Sequence, residues 1–213
     1  MKVKKLGHCC FVVEINNKRV MTDPGTYSSL QNEEHNIDIV VFTHEHQDHF
    51  HLESIKRIIE NNPNVKIVTN SSVGKLLSEA GINFSVLEDG DNGEYSGVYL
   101  EAHGSKHSEI YNEFGLVQNT GYFIGKDLFY AGDSFVNPNK HVDILALPVS
   151  GPWMTIKTSI NYALALKPRV CFPVHDGMIQ TDKPGPIYRL PNTILNENGI
   201  AFKELVIGKE EEI

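Results

Sequence analysis

Residues 43–49 read Thr-His-Glu-His-Gln-Asp-His, directly after the apolar run Ile37-Asp38-Ile39-Val40-Val41-Phe42. Imidazole and carboxylate are poor strand and poor core material, so no folding requirement explains His44, His46, Asp48 and His49 together. Their shared property is affinity for borderline metals such as zinc. A chain that carries them must end a rigid strand here and bring further donors from elsewhere to meet it. Alternate residues of an extended segment point the same way, so His44 and His46 can share one cation. Asp48 and His49, past the turn, point elsewhere and can serve a second. The plainer alternative is a solvated loop with Asp48 as the N-cap of the next helix. A run of four candidate ligands outweighs it.

Around this cluster the pattern alternates β and α. The opening is a meander of Val3–Leu6, Phe11–Ile15, a turn at Asn16-Asn17, and Arg19–Thr22. After the strand at Ile37–Phe42, Leu52, Ile55, Ile58 and Ile59 give one apolar helical face within 51–61. Lys66–Thr69 reads as a strand, Ser72–Ala80 as a helix closed by Gly81, and Phe84–Leu87 as another strand. The second half repeats the plan with strands at Val98–Glu101, Gly121–Ile124, Leu128–Ala131, Val142–Val149 and Val170–Val174. One helix carries Ile156, Ile160, Ala163 and Leu164 and must stop at Pro168; another spans Tyr188–Asn198. The run Arg19–Asp23 leading to Ile37–Val40 is echoed by Phe129–Asp133 leading to Val142–Leu145, which suits two similar halves. The polar stretches 25–36 and 103–119 are long enough to be functional loops, with Tyr27, Glu109 and Tyr111 as candidate substrate contacts. Glu210-Glu211-Glu212 reads as a solvated tail.

The 213 residues suffice for a sizeable core, with one domain, 1–213, as the default. Lys+Arg 19 against Asp+Glu 27 gives a net charge of −8, which disfavours nucleic acid, whose binding needs clustered cations. No run approaches the ~20 apolar residues of a membrane span. Three cysteines, two of them adjacent, make no disulfide framework and fit a reducing cytoplasm. A small-molecule substrate, an anionic one included, is the expected partner, and a homo-oligomer stays open.

The motif His44-x-His46-x-Asp48-His49 resembles the HxHxDH signature of the metallo-β-lactamase superfamily. The family's later ligands are a His, an Asp after a Gly, and a His near the C-terminal end. Gly104-Ser105-Lys106-His107, Ala131-Gly132-Asp133-Ser134 and Phe172-Pro173-Val174-His175-Asp176 match them in order. Gly7-His8-Cys9-Cys10-Phe11 and Thr22-Asp23-Pro24-Gly25 resemble the opening of the branch that includes L-ascorbate-6-phosphate lactonase-like proteins. The resemblance implies an α/β (α+β) fold, a four-layer αββα sandwich. It also implies two divalent metal ions, zinc first, with manganese or iron as alternatives. His44, His46 and His107 would hold one, Asp48, His49 and His175 the other, and Asp133 would bridge, with Asp48 and His107 also assigned as catalytic.

Three neutral imidazoles leave zinc one open position, and bound water there reaches a pKa of about 7. The expected activity is therefore hydrolysis of a small-molecule ester, lactone or phosphodiester by metal-bound hydroxide. The alternatives are an iron-dependent redox protein resembling sulfur dioxygenases, or a non-catalytic metal-binding module. The di-iron flavoproteins of the family carry Glu where this chain has His46.

Other residues take lesser roles. Asp23, after a strand, suits a carboxylate that orients a ligand histidine. His8 is open between facing the pocket and making a structural hydrogen bond, and Trp153 between pocket wall and core. His107 is preferred to His103 as the ligand. Cys171 reads as an inert buried thiol, and His35, His51 and His141 as surface residues.

Overall fold

Apolar runs without alternation, such as Ile39-Val40-Val41-Phe42, need cover on both faces. The computed structural model, which describes residues 1–180, 183 and 185–213, provides that cover in four layers. The first sheet contains β1 (Lys2–Gly7), β2 (Cys10–Ile15), β3 (Lys18–Thr22), β4 (Ile39–Phe42), β5 (Lys66–Thr69) and β6 (Ser85–Val86). The second contains β7 (Asn92–Tyr95), β8 (Val98–His103), β9 (Gly121–Ile124), β10 (Leu128–Tyr130), β11 (Ile144–Pro148), β12 (Val170–Val174) and β13 (Ala201–Phe202). A last strand, β14 (Glu210–Glu212), returns to the first sheet beside β1. The strand orders are β14-β1-β2-β3-β4-β5-β6 and β13-β12-β11-β10-β9-β8-β7.

Strand alternation sorts the side chains between layers. Phe11 and Val13 enter the core between the sheets, with Tyr122, Tyr130 and Phe172 from the other side. Cys10 and Val12, one residue out of phase, face outward with Met21, Val40 and Phe42. Helices α1 (Leu52–Asn61) and α2 (Ser71–Glu79) cover that face with Ile55, Ile58, Val73 and Leu77. On the far side, Phe129, Leu145 and Cys171 pack under α3 (Ile156–Leu166) and α4 (Pro186–Glu197) through Ile160, Ala163 and Leu195. Local chemistry sets the helix ends. The Asn70 side chain accepts from Val73 N–H to start α2, and Thr155 accepts from Thr158 N–H to start α3. Lys167, in the left-handed region at φ 51°, ends α3 just before Pro168.

The echo between the two halves is topological. In the first sheet β1, β2 and β3 pair antiparallel and β3, β4 and β5 parallel. In the second, β8, β9 and β10 pair antiparallel and β10, β11 and β12 parallel. Asp23 follows β3 as Asp133 follows β10. The carboxyl ends of β3, β4, β10 and β12 thus gather at one edge of the sandwich, where open α/β sheets place their ligands.

Three strands differ from the sequence reading, the shortest being β13, Ala201–Phe202, which pairs parallel with β12. Glu210–Glu212 is not a solvated tail but pairs with β1, in register Lys2↔Glu212 and Lys4↔Glu210. Lys2 Nζ lies 3.2 Å from Glu210 and 3.4 Å from Glu14 across neighbouring strands, so cross-strand charge pairing holds a segment that has no apolar pattern. Strand β7, Asn92-Gly93-Glu94-Tyr95, is a polar edge strand that shows no β signal of its own. No helix among the described residues is long and apolar enough to cross a membrane.

Candidate metal centre

Every residue of the ligand set lies at or just past a strand end, and the fold brings all seven together. His44, His46, Asp48 and His49 occupy the loop between β4 and α1, whose N-cap is His51 rather than Asp48. His107 comes from the loop after β8, Asp133 from the turn after β10, and His175 from the end of β12. Three donor groups form among the described residues: His44 with His46 and His107, Asp48 with His49, His175 and His8, and Asp133 with His49 and Cys9; within each, the donor atoms lie within 4.8 Å of one another. Asp133 stands between the first two. Its Oδ2 is 3.3 Å from His107 Nε2, 3.9 Å from His44 Nε2 and 3.0 Å from His175 Nε2, while Oδ1 is 3.2 Å from His49 Nε2.

The rings are oriented by acceptors behind them. Asp23, fully buried, accepts at Oδ2 from His49 Nδ1 at 2.8 Å, from Tyr130 OH at 2.6 Å and from Thr43 Oγ1 at 2.6 Å. Its Oδ1 accepts from Thr43 N–H at 2.8 Å. Because Thr43 spends its only hydroxyl proton on Asp23, the 3.0 Å contact with His44 Nδ1 must be donated by the ring. His107 Nδ1 likewise faces the Ser108 carbonyl at 2.5 Å, which can only accept. In all three rings Nδ1 carries hydrogen and faces an acceptor, which turns Nε2 toward Asp133. Asp23 therefore orients the His49 ring directly, and reaches the His44 ring through Thr43.

Those inward atoms have no other partner. Nε2 of His44, His49, His107 and His175, together with Asp133 Oδ1, are buried without a hydrogen bond among the described residues. Buried polar atoms are nearly always satisfied, and a borderline divalent cation suits this nitrogen-rich set with two carboxylates. The donor set fits a metal pair.

Electrostatics agrees. Burial, reinforced by His49, pushes His44 well below the ordinary imidazole value, and burial with His107 lowers His46, which keeps both rings neutral and able to ligate. Burial opposes charge on Asp133, yet His49, His175 and His107 hold it well below the usual carboxylate range. Burial also works against charge on His49, but Asp133 and Asp23 outweigh it and raise its affinity for a proton, the place a cation would take. Asp48 is held down at about 2, burial notwithstanding, by its hydrogen bond with His8 and by His49.

Close packing leaves this edge little freedom. A Cβ on Gly25 would lie 1.9 Å from Asp48 O, and one on Gly132 2.4 Å from Asn119 Oδ1. Asn119 in turn fixes the Asp133 turn, accepting from Asp133 N–H at 3.0 Å and donating to Ala131 O at 2.9 Å. Behind His175, the buried Lys5 ammonium pairs with Asp176 and donates to Pro173 O at 2.8 Å, and Tyr188 OH also donates to Asp176.

The neighbouring candidates sort clearly. His103 bonds Glu101 at 2.8 Å outside the donor groups, whereas His107 lies within one. His35 and His141 are exposed, and His51, half-buried, bonds Ser54 Oγ at 2.9 Å. All three cysteines are free and buried. Cys171 sits in the core under α3 and α4. Tyr27 and Trp153 line the cleft above the donors, whereas Glu109 bonds Asn112 N–H in its own loop and Tyr111 is exposed outside the cleft wall. Sequence reasoning passed over Thr43, Tyr130, Asn119 and Cys9, whose thiol lies beside His49 and Asp133. Thr43 and Cys9 lie within quoted motifs and Tyr130 within the echoed run Phe129–Asp133, which is the signal they carried.

A four-layer αββα sandwich with histidine and aspartate donors collected at its edge defines the metallo-β-lactamase class of fold. The chain belongs to the beta-lactamase superfamily, whose domain profile matches residues 2–175. It is 27% identical over 193 residues to protein Rv0786c of Mycobacterium tuberculosis, covering 88% of this chain and 90% of that protein. It is also 27% identical over 189 residues to a UPF0173 metal-dependent hydrolase of Thermoplasma acidophilum, covering 82% and 83%. Among solved structures, the metallo hydrolase Igni18 of Ignicoccus hospitalis superposes with a TM-score of 0.78 at 19% identity, over 100% of this chain and 98% of that one.

Proposed function

We propose that the protein is a metal-dependent hydrolase that binds two divalent cations, zinc first, and cleaves a small ester or lactone. The observation that carries this is the convergence of four buried, unpartnered imidazole nitrogens on Asp133. His44, His46 and His107 would hold one cation, Asp48, His49 and His175 the second, with Asp133 shared. When bound, such a pair supplies Lewis acidity and brings the pKa of water to about 7, so that hydroxide is available at neutral pH.

The chain's own residues supply orientation and exclusion of water. Asp23, Thr43 and the Ser108 carbonyl fix three tautomers. Tyr27, Ile110, Pro152, Trp153 and Met178 wall a cleft of about 200 Å³ above the donors. That wall is mostly apolar, which suits the carbon skeleton of an acyl or lactone substrate. The likeness of Gly7–Phe11 to the lactonase-like branch supports the lactone. Both sheets contribute donors, so residues 1–213 act as one functional unit. Three free buried thiols suit a reducing cytoplasm. The iron-dependent redox reading is not favoured.

The test is hydrolysis of ester, lactone and phosphodiester panels by protein stripped with chelator and reloaded with zinc, manganese or iron. Ester or lactone turnover should appear only in loaded protein and vanish in His46→Ala. Turnover indifferent to metal, or none on any panel at full metal occupancy, would refute the proposal.

A further inference from the structure

We infer that His8 is a positioning residue, not a metal ligand, and that its Nε2–H holds Asp48 for the second cation. The inference rests on the metal reading above and concerns a ring that geometry alone would admit to the donor group of Asp48, His49 and His175.

The argument turns on which nitrogen carries hydrogen. His8 is 1% exposed, and its Nδ1 lies 3.0 Å from the backbone N–H of Gly177. A backbone amide can only donate, so Nδ1 must present its lone pair there. A doubly protonated ring is incompatible with that contact, and the neutral ring must then carry its hydrogen on Nε2. That hydrogen faces Asp48 Oδ2 at 3.2 Å. His44, His49 and His107 show the reverse arrangement, with Nδ1 bound to acceptors and Nε2 free. Three rings are thus set to ligate and the fourth to donate.

The surroundings are built for this tautomer. A Cβ on Gly177 would lie 3.0 Å from His8 Nδ1 and Cβ, so glycine is what lets the amide approach the ring. The His8 backbone adopts φ 48°, in the left-handed region that non-glycine residues rarely enter. Its carbonyl meanwhile accepts from His175 N–H at 3.3 Å. One residue therefore holds two ligands of the same cation, His175 through its backbone and Asp48 through its ring. Tyr27 closes over the ring edge-on at 5.1 Å between centroids.

Two substitutions separate the ring's two bonds. His8→Asn keeps an acceptor for Gly177 N–H but cannot reach Asp48; His8→Gln carries an amide donor to about the reach of Nε2. Zinc binding by chelator competition should show the first site of His8→Asn unchanged and the second weakened ~10–100-fold. His8→Gln should recover most of that loss, and the cobalt-substituted visible spectrum of its second site should match the wild type. Wild-type affinity at both sites in His8→Asn would overturn the inference. So would a His8→Gln as weak as His8→Asn, or an altered cobalt spectrum in His8→Gln, which would make His8 a ligand. Failure of the wild-type chain to bind zinc at all would instead sink the proposed function.

Discussion

Asp23→Asn changes one oxygen for an amide nitrogen and should disturb both cation positions at once. If the new nitrogen takes the Oδ2 place it meets three donors, from His49, Tyr130 and Thr43. If it takes the Oδ1 place it meets only Thr43 N–H, at 2.8 Å, so that orientation is adopted. One buried donor then faces another, a cost of about 1–3 kcal/mol. The three bonds at Oδ2 also lose charge assistance and fall to roughly half their strength. Together these amount to about 3–7 kcal/mol, which for a chain of this size lowers Tm by roughly 6–28 °C. Calorimetry on the metal-free protein measures that term. Zinc competition measures the second effect: the His49 ring and, through Thr43, the His44 ring lose their anionic partner, so both affinities should fall ~10–100-fold. A variant whose metal-free Tm stays within about 2 °C of wild type, with both zinc affinities intact, would refute the reasoning.

Two further substitutions test the packing and the charge pairing. Gly25→Ala places a Cβ 1.9 Å from Asp48 O, where ordinary contact begins at 3.4 Å, so the loop must retreat by about 1.5 Å; the second zinc should be lost while the His44, His46 and His107 site survives. Retention of two tight zinc ions would show that the loop is not packed as described. Glu34, buried, bonds Lys4 and Arg19 at 2.6 Å each, and although burial works the other way, these cations hold its carboxyl below its ordinary range. A depressed carboxylate stabilises the fold above its unfolded pKa, and that stability is lost as pH falls through the folded value. Glu34→Gln should therefore cost about 1–2 kcal/mol in denaturant melts at pH 7, and the difference should shrink progressively below pH 4.5. A penalty independent of pH would contradict the pairing.

What could be read in the sequence was whatever chemistry confines to a short span. The donors of the candidate centre sit past strand ends, so His44 to His49, Asp133 and His175 each followed an apolar run visible by itself. The strands Lys66–Thr69, Gly121–Ile124 and Val170–Val174 were legible to the residue because their interior positions are buried on both faces. The strand Glu210–Glu212 was not, because its pairing depends on Lys2 and Lys4 at the other end of the chain. Strand β7 exists as an edge against β8, and its alternation is only between exposed and half-buried positions in a mostly polar run. The role of His8 was equally hidden: its tautomer is decided by the amide of Gly177, 169 positions away. Asp23 was legible as an orienting carboxylate, yet Tyr130, which shares it, comes from the opposite sheet and looked like any strand tyrosine. The cleft wall resisted the same way, since Trp153 could be placed as wall or core only once Ile110, Pro152 and Met178 were seen beside it.

The most direct test is a crystal structure of the zinc-loaded protein with anomalous data at the zinc edge. Two peaks about 3.5–4 Å apart are expected, one against the rings of His44, His46 and His107, the other against Asp48, His49 and His175, with Asp133 touching both and His8 touching neither. Full zinc in solution with no peak at Asp133, or a peak held by other side chains, would contradict the account.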